Sequence, residues 1–537
     1  MNVLELLRLN SDGRRPALAW RWNVRAIAVG GFLLCFFAGL VYVNCVWSCY
    51  PNDNDLDEVA WLSTHLSLGR AESFANQGYP PGLPVVLHLL TPLVGSFLRA
   101  AFLWQALAAT ASVWFVFRIT SNLSCRRWAG VFALGCAAVA GLPVFTSEFA
   151  DGTSTAIFLG GLAALTARDA DRKGFFLFGL AAGLAYLFRT HYLIFIALVP
   201  AALVVAGFGI RPTGKACLAF VAGFAATAWP LWLLNTLAYG TPVHAGVSQY
   251  NIAFAVVHGA FDWEDYPNTY NRWPLSRILQ EQPWALLQNC VDQAAHTFGL
   301  KLSLVSGALG AAAMVLIGSR RHRQLLAFSG LLAVLYVGLV IVPTHYTDRA
   351  YAPVAMLASV LVACGVSELV SRTRRQRWAL LGALVALLFV LYPSELWTRL
   401  KSRAHDAKWN TRISRTLVEN GMRSSDEVFS NVWSIYNMVD PQFMPFYNYG
   451  GWLELDSEYR REQPHPTAAT PEEWQQFFTE QGIHFVILRA RGHARALALR
   501  PPASWRVLYG DKSIAVYALN PRPEPPPPAE LPAPPPQ

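Results

Sequence analysis

The sequence predicts an α-helical polytopic membrane protein with a small α/β domain towards its C-terminal end. Of its 537 residues, 54% are hydrophobic and only 14% are charged. Soluble globular proteins carry about 25% charged residues, so much of this chain's surface is predicted to face lipid. After residue 400 the long apolar runs give way to short, strand-like stretches. These observations exclude a purely soluble enzyme, a disordered scaffold and a disulfide-dense secreted domain.

Long apolar runs predict the membrane-spanning helices, and about eleven such runs are long enough, near 20 residues, to cross a bilayer. They lie at 24–43, 99–117, 128–146, 153–168, 174–188, 190–209, 216–238, 297–318, 325–343, 350–370 and 378–396. The first run is too long for a signal peptide and lacks a small-residue cleavage site, which indicates a retained anchor.

Basic residues predict which side of the membrane each loop occupies. Lys and Arg collect before the first span and after every even-numbered one up to the tenth, whereas the alternate loops hold few cations. Cytoplasmic loops carry this excess in membrane proteins. We therefore predict a cytoplasmic N-terminus at 1–23 and a transmembrane domain at 24–399, with external loops at 44–98 and 239–296. The same bias accounts for the net charge of +9 without a nucleic-acid partner.

An odd number of spans places the C-terminal part outside, where residues 400–520 are predicted to form the α/β domain. Strand-like stretches occur in FVILR at 485–489 and IAVYAL at 514–519, and TPEEWQQFFTEQG at 470–482 is helix-like. This alternation is typical of a small α/β fold. The proline-rich tail at 521–537 is predicted to be disordered, because proline cannot donate to a strand ladder.

The cysteines form no metal-binding pattern. Those inside apolar runs are predicted to act as small hydrophobic residues, while Cys45, Cys49 and Cys290 fall in predicted external segments, where a disulfide among them stays open. The sequence has no P-loop, no dinucleotide fingerprint, no HExxH and no paired CxxC. Nucleotide-driven chemistry on the cytoplasmic face therefore has no support.

Four carboxylates follow the first span, in YPNDNDLDEVAW: Asp53, Asp55, Asp57 and Glu58. Apolar residues after Asp57 recur at helical spacing, which predicts an amphipathic helix along the membrane surface. Asp57 and Glu58 would lie in its first turn, where the helix dipole favours negative charge. A solvated acidic cap, a calcium loop and a catalytic carboxylate are the alternatives. The calcium loop is disfavoured because the glycine and distal glutamate of an EF-hand are missing.

The stretch GYPPGLPVVLHLLTPL at 78–93 predicts a bend followed by a short, half-buried surface helix. Adjacent prolines favour the bend, and the apolar run after them is too short and too interrupted to span a bilayer. His88 on this helix is interpreted as a packed residue rather than a ligand.

Two arginines break the sidedness pattern, Arg189 in LFRTHYLIFI and Arg349 in PTHYTDRAYAP. A guanidinium between hydrophobic helices is costly unless it meets an anion, and its planar fork suits phosphate. Snorkelling to lipid head groups is the alternative. Further ionisable groups at the same predicted face indicate one shared polar cavity. They are Glu148, Asp151, His191, His345 and Tyr346.

Taken together, these motifs resemble the membrane glycosyltransferases of the GT-C superfamily, and in particular the family of protein O-mannosyltransferases and aminoarabinose lipid A transferases. The resemblance covers about residues 20–400 and rests on the order and sidedness of its motifs. They are DEVAW (57–61), GYPPGLP (78–84), SEFADGTS (147–154), FRTHYL (188–193), WPLWLLNTLAYGTP (229–242) and HYTDRAYAP (345–353). The large luminal domain that protein O-mannosyltransferases insert between spans is missing.

The resemblance implies that a sugar moves from a polyprenyl-phosphate-linked donor to a lipid, glycan or protein acceptor on the external face, with inversion at the anomeric carbon. Asp57, with Glu58 beside it, would match the family's catalytic carboxylate and act as general base. Asp53, Asp55, Glu148 and Asp151 would be secondary acidic residues. The donor phosphate would meet Arg189 and Arg349, with His191, His345 and Tyr346 beside them. No cofactor is required, although Asp53 and Asp55 leave a divalent metal open.

Two other functions stay open. A lipid or sugar transporter would show inverted repeats and charges at midplane depth, whereas here the charges cluster outside. A polysaccharide polymerase or ligase would use a diphosphate-linked donor and one large basic external loop; the loop at 239–296 holds Arg272 and Arg277 among three tryptophans. The predicted location is the inner membrane of a bacterium.

Overall fold

The computed structural model describes most of the helical part of the chain and a smaller C-terminal portion. The described residues are 18–44, 80–95, 97–124, 127–145, 149–168, 170–208, 210–243, 275–300, 320–338, 352–370, 401, 412–413, 415–422, 427–430, 470–480, 482–489, 501–510 and 514–519. The chain divides into a first unit, Met1–Asp262 with Asn268–Ala407, and a second unit, Trp263–Pro267 with Lys408–Gln537.

The first unit consists of helices joined by short turns in its described residues. Its helices are α1 (Leu18–Val41), α2 (Gly82–Val94), α3 (Phe97–Leu123), α4 (Arg127–Phe145), α5 (Phe149–Ala167), α6 (Arg172–Tyr186), a 3-10 helix (Thr190–Ile194), α7 (Phe195–Val205), α8 (Ile210–Tyr239), α9 (Leu275–Glu281), α10 (Pro283–Leu300), α11 (Arg320–Tyr336) and α12 (Ala352–Val370). Helix α6 begins at a clear cap, because the Asp171 side chain accepts a hydrogen bond from the Gly174 amide at 2.6 Å.

Helices α3, α5, α6 and α8 pack side by side in that order. The contact between α6 and α8 is the tightest, since a Cβ on Gly223 of α8 would overlap the carbonyl oxygen of Phe176 on α6. Small residues let helix backbones approach this closely, and membrane helices use them at their interfaces. Aromatic rings fill the adjoining core, where Phe158 contacts Phe178, Tyr192 and Phe195 at centroid distances of 4.5–5.7 Å.

Three helical stretches among the described residues are long and apolar enough to cross a membrane: Ala26–Asn44, Arg99–Leu123 and Thr213–Leu237. Helices also overlap the other predicted spans up to 216–238 and those at 325–343 and 350–370, of which 339–343 and 350–351 lie outside the described residues. The predicted span 378–396, and all but the first four residues of 297–318, lie outside the described residues. The total of eleven spans therefore stays a prediction.

The short surface helix predicted after the paired prolines is α2. Leu83, Pro84 and Leu87 are buried, whereas Leu89 and Leu93 are exposed. It ends at Gly95, whose φ of 77° closes the last turn in the left-handed conformation that glycine adopts freely. Helix α3 begins two residues later, so α2 leads directly into the bundle.

The second unit contains a four-stranded sheet in the order β1-β2-β4-β3, formed by β1 (Val428–Ser430), β2 (Phe485–Arg489), β3 (Arg506–Gly510) and β4 (Ile514–Ala518). Strand β1 pairs parallel to β2, and the other pairs are antiparallel. Strand β2 coincides with the predicted FVILR stretch, and β4 lies within the predicted IAVYAL stretch.

Side chains of β2 alternate between two cores, as the period of a strand requires. Val486 and Leu488 pack with helix α13 (Pro471–Glu480), whereas Phe485 and Ile487 pack with Ile413 and Leu417 on the opposite face of the sheet. The start of α13 carries a capping box, in which the Thr470 amide donates to Glu473 at 3.1 Å and the Glu473 amide donates to the Thr470 hydroxyl at 3.3 Å. Burial raises the pKa of Tyr517 on β4.

The structure bears on one of the three cysteines left open for a disulfide. Cys290 on α10 is a free, partly buried thiol, and burial raises its pKa. Cys45 and Cys49 lie outside the described residues.

Candidate functional site

The site is built where the chain turns after α6. The last carbonyls of a helix have no partner within the helix, and here the Leu187 carbonyl accepts a hydrogen bond from the Gly82 amide at 2.8 Å. A Cβ at residue 82 would lie 2.5 Å from that oxygen, so only glycine fits. The first turn of α2 is thereby fixed against the segment that carries Arg189.

Arg189 is held in an extended conformation between α6 and the 3-10 helix, with φ −149° and ψ 120°. Its amide donates to the Ala185 carbonyl at 3.0 Å, and its carbonyl accepts from the Tyr192 amide at 3.2 Å. The backbone at Arg189 is therefore tied to the helical turns on both sides.

The Arg189 side chain forms an ion pair with Asp151 in the first turn of α5. Arg189 Nη2 donates to Asp151 Oδ2 at 2.7 Å, and the two side chains are only 12% and 4% exposed. A short charge-assisted hydrogen bond of this kind is stronger than a neutral one. The structure thus joins two residues that are 38 positions apart in the chain and belong to the SEFADGTS and FRTHYL motifs.

Helix α3 holds the first turn of α5 in place. The Trp104 indole donates to the Thr153 hydroxyl at 2.9 Å. The Gln105 carboxamide packs against Gly152, where a Cβ would lie 2.8 Å from its oxygen. The Ser154 hydroxyl donates to the Asp151 carbonyl at 3.1 Å. These contacts fix the direction in which α5 presents Asp151.

Aromatic rings surround the segment after Arg189. The His191 ring stacks on Tyr192 at a centroid distance of 4.9 Å and meets the edge of Tyr336 on α11 at 5.7 Å. Tyr192 is fully buried. The structure therefore packs His191 among rings, and its predicted role at a donor phosphate stays a prediction.

Of the predicted site residues, the structure describes Asp151, Arg189 and His191, and it pairs the first two directly. The others lie outside the described residues: Asp53, Asp55, Asp57, Glu58, Glu148, His345, Tyr346 and Arg349. In the part of the chain that the structure describes, no three His, Cys, Asp or Glu side chains are grouped as metal ligands would be.

Trp104 and Gln105 contribute to the site, although neither was predicted from the sequence. Gln105 carries a signal in the sequence, since it is a polar residue inside an apolar run, and polar residues within membrane helices are costly and usually face the bundle interior. Gln105 is 1% exposed, which agrees with that rule. Thr153 is a similar case, because it follows Asp151 directly in the DGTS sequence.

Solved structures of the GT-C superfamily share the architecture of this chain. ArnT, the aminoarabinose lipid A transferase, from Cupriavidus metallidurans bound to undecaprenyl phosphate gives a TM-score of 0.58 at 14% identity, covering 92% of this chain and 98% of that one. The apo state of the same protein gives 0.54 at 15% identity, with the same coverage. An Archaeoglobus fulgidus oligosaccharyltransferase tethered to an acceptor peptide gives 0.49 at 12% identity, over 86% of this chain and 69% of that one.

No family model and no curated protein sequence matches the chain. At 14–15% identity the two ArnT structures show the fold alone. The resemblance to the GT-C superfamily, predicted from short motifs, is therefore confirmed at the level of the fold.

Proposed function

We propose that this chain is a membrane glycosyltransferase that moves a sugar from a polyprenyl-phosphate donor to an acceptor on the external face of a bacterial inner membrane. The observation that carries the proposal is the buried Asp151–Arg189 pair at 2.7 Å. It joins the SEFADGTS and FRTHYL motifs, both of which belong to the resemblance that predicts this chemistry. The GT-C fold supports it, and so does the undecaprenyl phosphate bound in the ArnT structure.

In the proposed reaction Asp57 is the general base and Glu58 lies beside it. Asp57 accepts the proton of the acceptor hydroxyl, whose oxygen attacks the anomeric carbon from the side opposite the phosphate. One carboxylate and a direct displacement invert the anomeric centre. The bond from carbon to phosphate oxygen breaks, and the electron pair leaves with the lipid phosphate.

Arg189 and Arg349 are proposed to stabilise the negative charge that develops on the leaving phosphate. Fixed donors in a water-poor site lower the free energy of a transition state strongly, because they need no reorganisation as charge develops. Two observations support this role for Arg189: its backbone is hydrogen-bonded on both sides, and its side chain is only 12% exposed. A metal or other cofactor has no part in this scheme.

The test is transfer from a labelled undecaprenyl-phosphate sugar by the purified protein in detergent. We expect the wild-type protein to transfer the sugar. The turnover rate of Asp57→Asn should be at least 100-fold lower, because general-base catalysis contributes about 10²–10⁴-fold. Asp171→Asn is the matched control, since asparagine caps a helix as well as aspartate does. Near wild-type turnover in Asp57→Asn would remove Asp57 as the base.

The same assay separates the alternatives. Detergent removes the compartments that a transporter needs, so sugar release there excludes transport as the sole function. A polymerase or ligase would accept an undecaprenyl-diphosphate donor and leave the monophosphate donor intact.

A further inference from the structure

The charge of the leaving group differs from the charge of the donor, and this difference concerns Arg189. A sugar joined to a lipid phosphate is a phosphodiester with one negative charge. The released lipid phosphate is a monoester with a second pKa of about 6, so it carries about −1.5 to −2 near pH 7. A lone buried guanidinium would therefore bind the product more tightly than the donor, and the product would inhibit the enzyme.

The structure places a compensating charge at this point. Asp151 Oδ2 lies 2.7 Å from Arg189 Nη2, and at 4% exposure its carboxylate is screened little by water. The negative charge of the Asp151 carboxylate therefore offsets the positive charge of Arg189. Like charges brought together in such a site cost several kcal/mol, and the cost grows with the charge of the incoming anion.

The direction of Asp151 is set by contacts around the first turn of α5. Trp104 bonds to Thr153, Gln105 fills the space beside Gly152, and the Ser154 hydroxyl bonds to the carbonyl of Asp151 itself. Helix α3 and the first turn of α5 thus hold the carboxylate against the guanidinium, even though a buried ion pair adds little to stability.

We infer that Asp151 is a positioning residue that aims Arg189 and, by competing for its charge, speeds release of the lipid-phosphate product. This inference rests on the proposed function. In the reaction the acceptor oxygen bonds to the anomeric carbon, its proton passes to Asp57, and the phosphate oxygen keeps the electron pair. The extra negative charge on the phosphate is then repelled by Asp151. The Asp151 carboxylate takes the place of the phosphate at Arg189 as the lipid leaves.

The experiment measures the affinity of full-length protein in detergent for undecaprenyl phosphate, with uncharged undecaprenol as the reference ligand. We expect Asp151→Asn to bind undecaprenyl phosphate about tenfold more tightly than wild type, which corresponds to about 1.4 kcal/mol. Binding of undecaprenol stays the same. Asp151→Glu keeps the charge and stays within about threefold of wild type, a difference of under 1 kcal/mol.

Kinetics give a second readout that a purely structural role would not move. In Asp151→Asn we expect steady-state kcat to fall more than the rate of the first turnover, because the product leaves slowly, which appears as a burst. Asp151→Ser removes the charge with a smaller side chain, so misfolding of the asparagine variant does not prevent the test. Asp171→Asn, at an exposed pair with Arg168, is expected to match wild type in both readouts.

The outcomes are distinct. Equal or weaker binding of undecaprenyl phosphate by the charge-removing variants overturns the inference and leaves the proposed function standing. Failure of wild type to bind undecaprenyl phosphate overturns the proposed function, and the inference with it.

Discussion

The cost of the Asp151–Arg189 pair is the dehydration of two charges. Burial of an ion pair loses several kcal/mol of hydration per ion, and the attraction between the charges repays this only when geometry and further hydrogen bonds are good. Apolar residues of the same volume would serve stability equally well. A pair kept at 12% and 4% exposure therefore indicates a use for the charges beyond stability.

Removal of one partner leaves the hydration cost of the other charge without compensation. In Arg189→Gln the Asp151 carboxylate stays buried without its cation, so we expect a loss of about 3–5 kcal/mol in the free energy of unfolding. The double variant Arg189→Gln/Asp151→Asn buries two neutral amides and loses less than Arg189→Gln alone. Thermal unfolding of the detergent-purified variants measures both. Losses that simply add would mean that the two side chains are hydrated and independent.

At single residues, the sequence marks a candidate where a charge is out of place. Arg189 is visible because it interrupts a run of apolar residues on the side that holds few cations, and Asp151 because it falls in the preceding turn that is predicted to be external. Their contact is not visible, since nothing in the sequence says which side chains of α5 and the 3-10 helix face each other. Trp104 was missed because tryptophan is ordinary in an apolar helix, so its bond to Thr153 leaves no pattern.

Among the elements, α6 and α8 are positioned by backbone contact. A Cβ on Gly179 of α6 would overlap the Phe220 carbonyl, and one on Gly223 of α8 would overlap the Phe176 carbonyl. Packing gains from such close approach replace the hydrophobic force that is missing between helices in lipid. Arg189 follows the end of α6, so the position of the guanidinium depends on this contact.

Two glycines of α8 offer a matched comparison. Gly223→Ala forces the backbones apart, and overpacking of this kind costs about 1–3 kcal/mol. Gly214→Ala meets nothing within 4 Å and gains up to about 1 kcal/mol, because alanine favours the helix more than glycine does. We expect a lower melting temperature in detergent for the first variant and an equal or higher one for the second. Equal melting temperatures would mean that α6 and α8 do not rely on this contact.

Two predicted spans differ from the observed helices at turns that are predicted to be external. The span predicted at 153–168 begins as α5 at Phe149, because Asp151 and the hydroxyl residues after it are polar in sequence but buried in the bundle. The span predicted at 190–209 begins as a 3-10 helix before α7. Apolar content predicts where a helix lies, whereas its first turn depends on contacts with other helices such as those of Trp104 and Gly82.

At the scale of the whole molecule, two independent observations place the same helix ends on one face: the contacts at the site and the distribution of charge among the loops. Gly82, Trp104, Asp151 and Arg189 lie near those ends of their helices that the distribution of Lys and Arg assigns to the outside. Their contacts require these ends to share one face of the helical unit. The contacts do not identify that face, because no distance within a protein distinguishes the two sides of a bilayer.

Labelling of single cysteines in intact cells identifies the side of the membrane on which this face lies. In a cysteine-free background, Ser248→Cys lies in the loop predicted to be external and Ser319→Cys in a loop predicted to be cytoplasmic, beside the basic residues that begin α11. We expect a membrane-impermeant maleimide to label the first and, until the membrane is permeabilised, not the second. Positive charge opposes translocation of short loops, which is the reason for this expectation. The reverse pattern would place Asp57 and the Asp151–Arg189 pair at the cytoplasmic face, where an external acceptor never meets them.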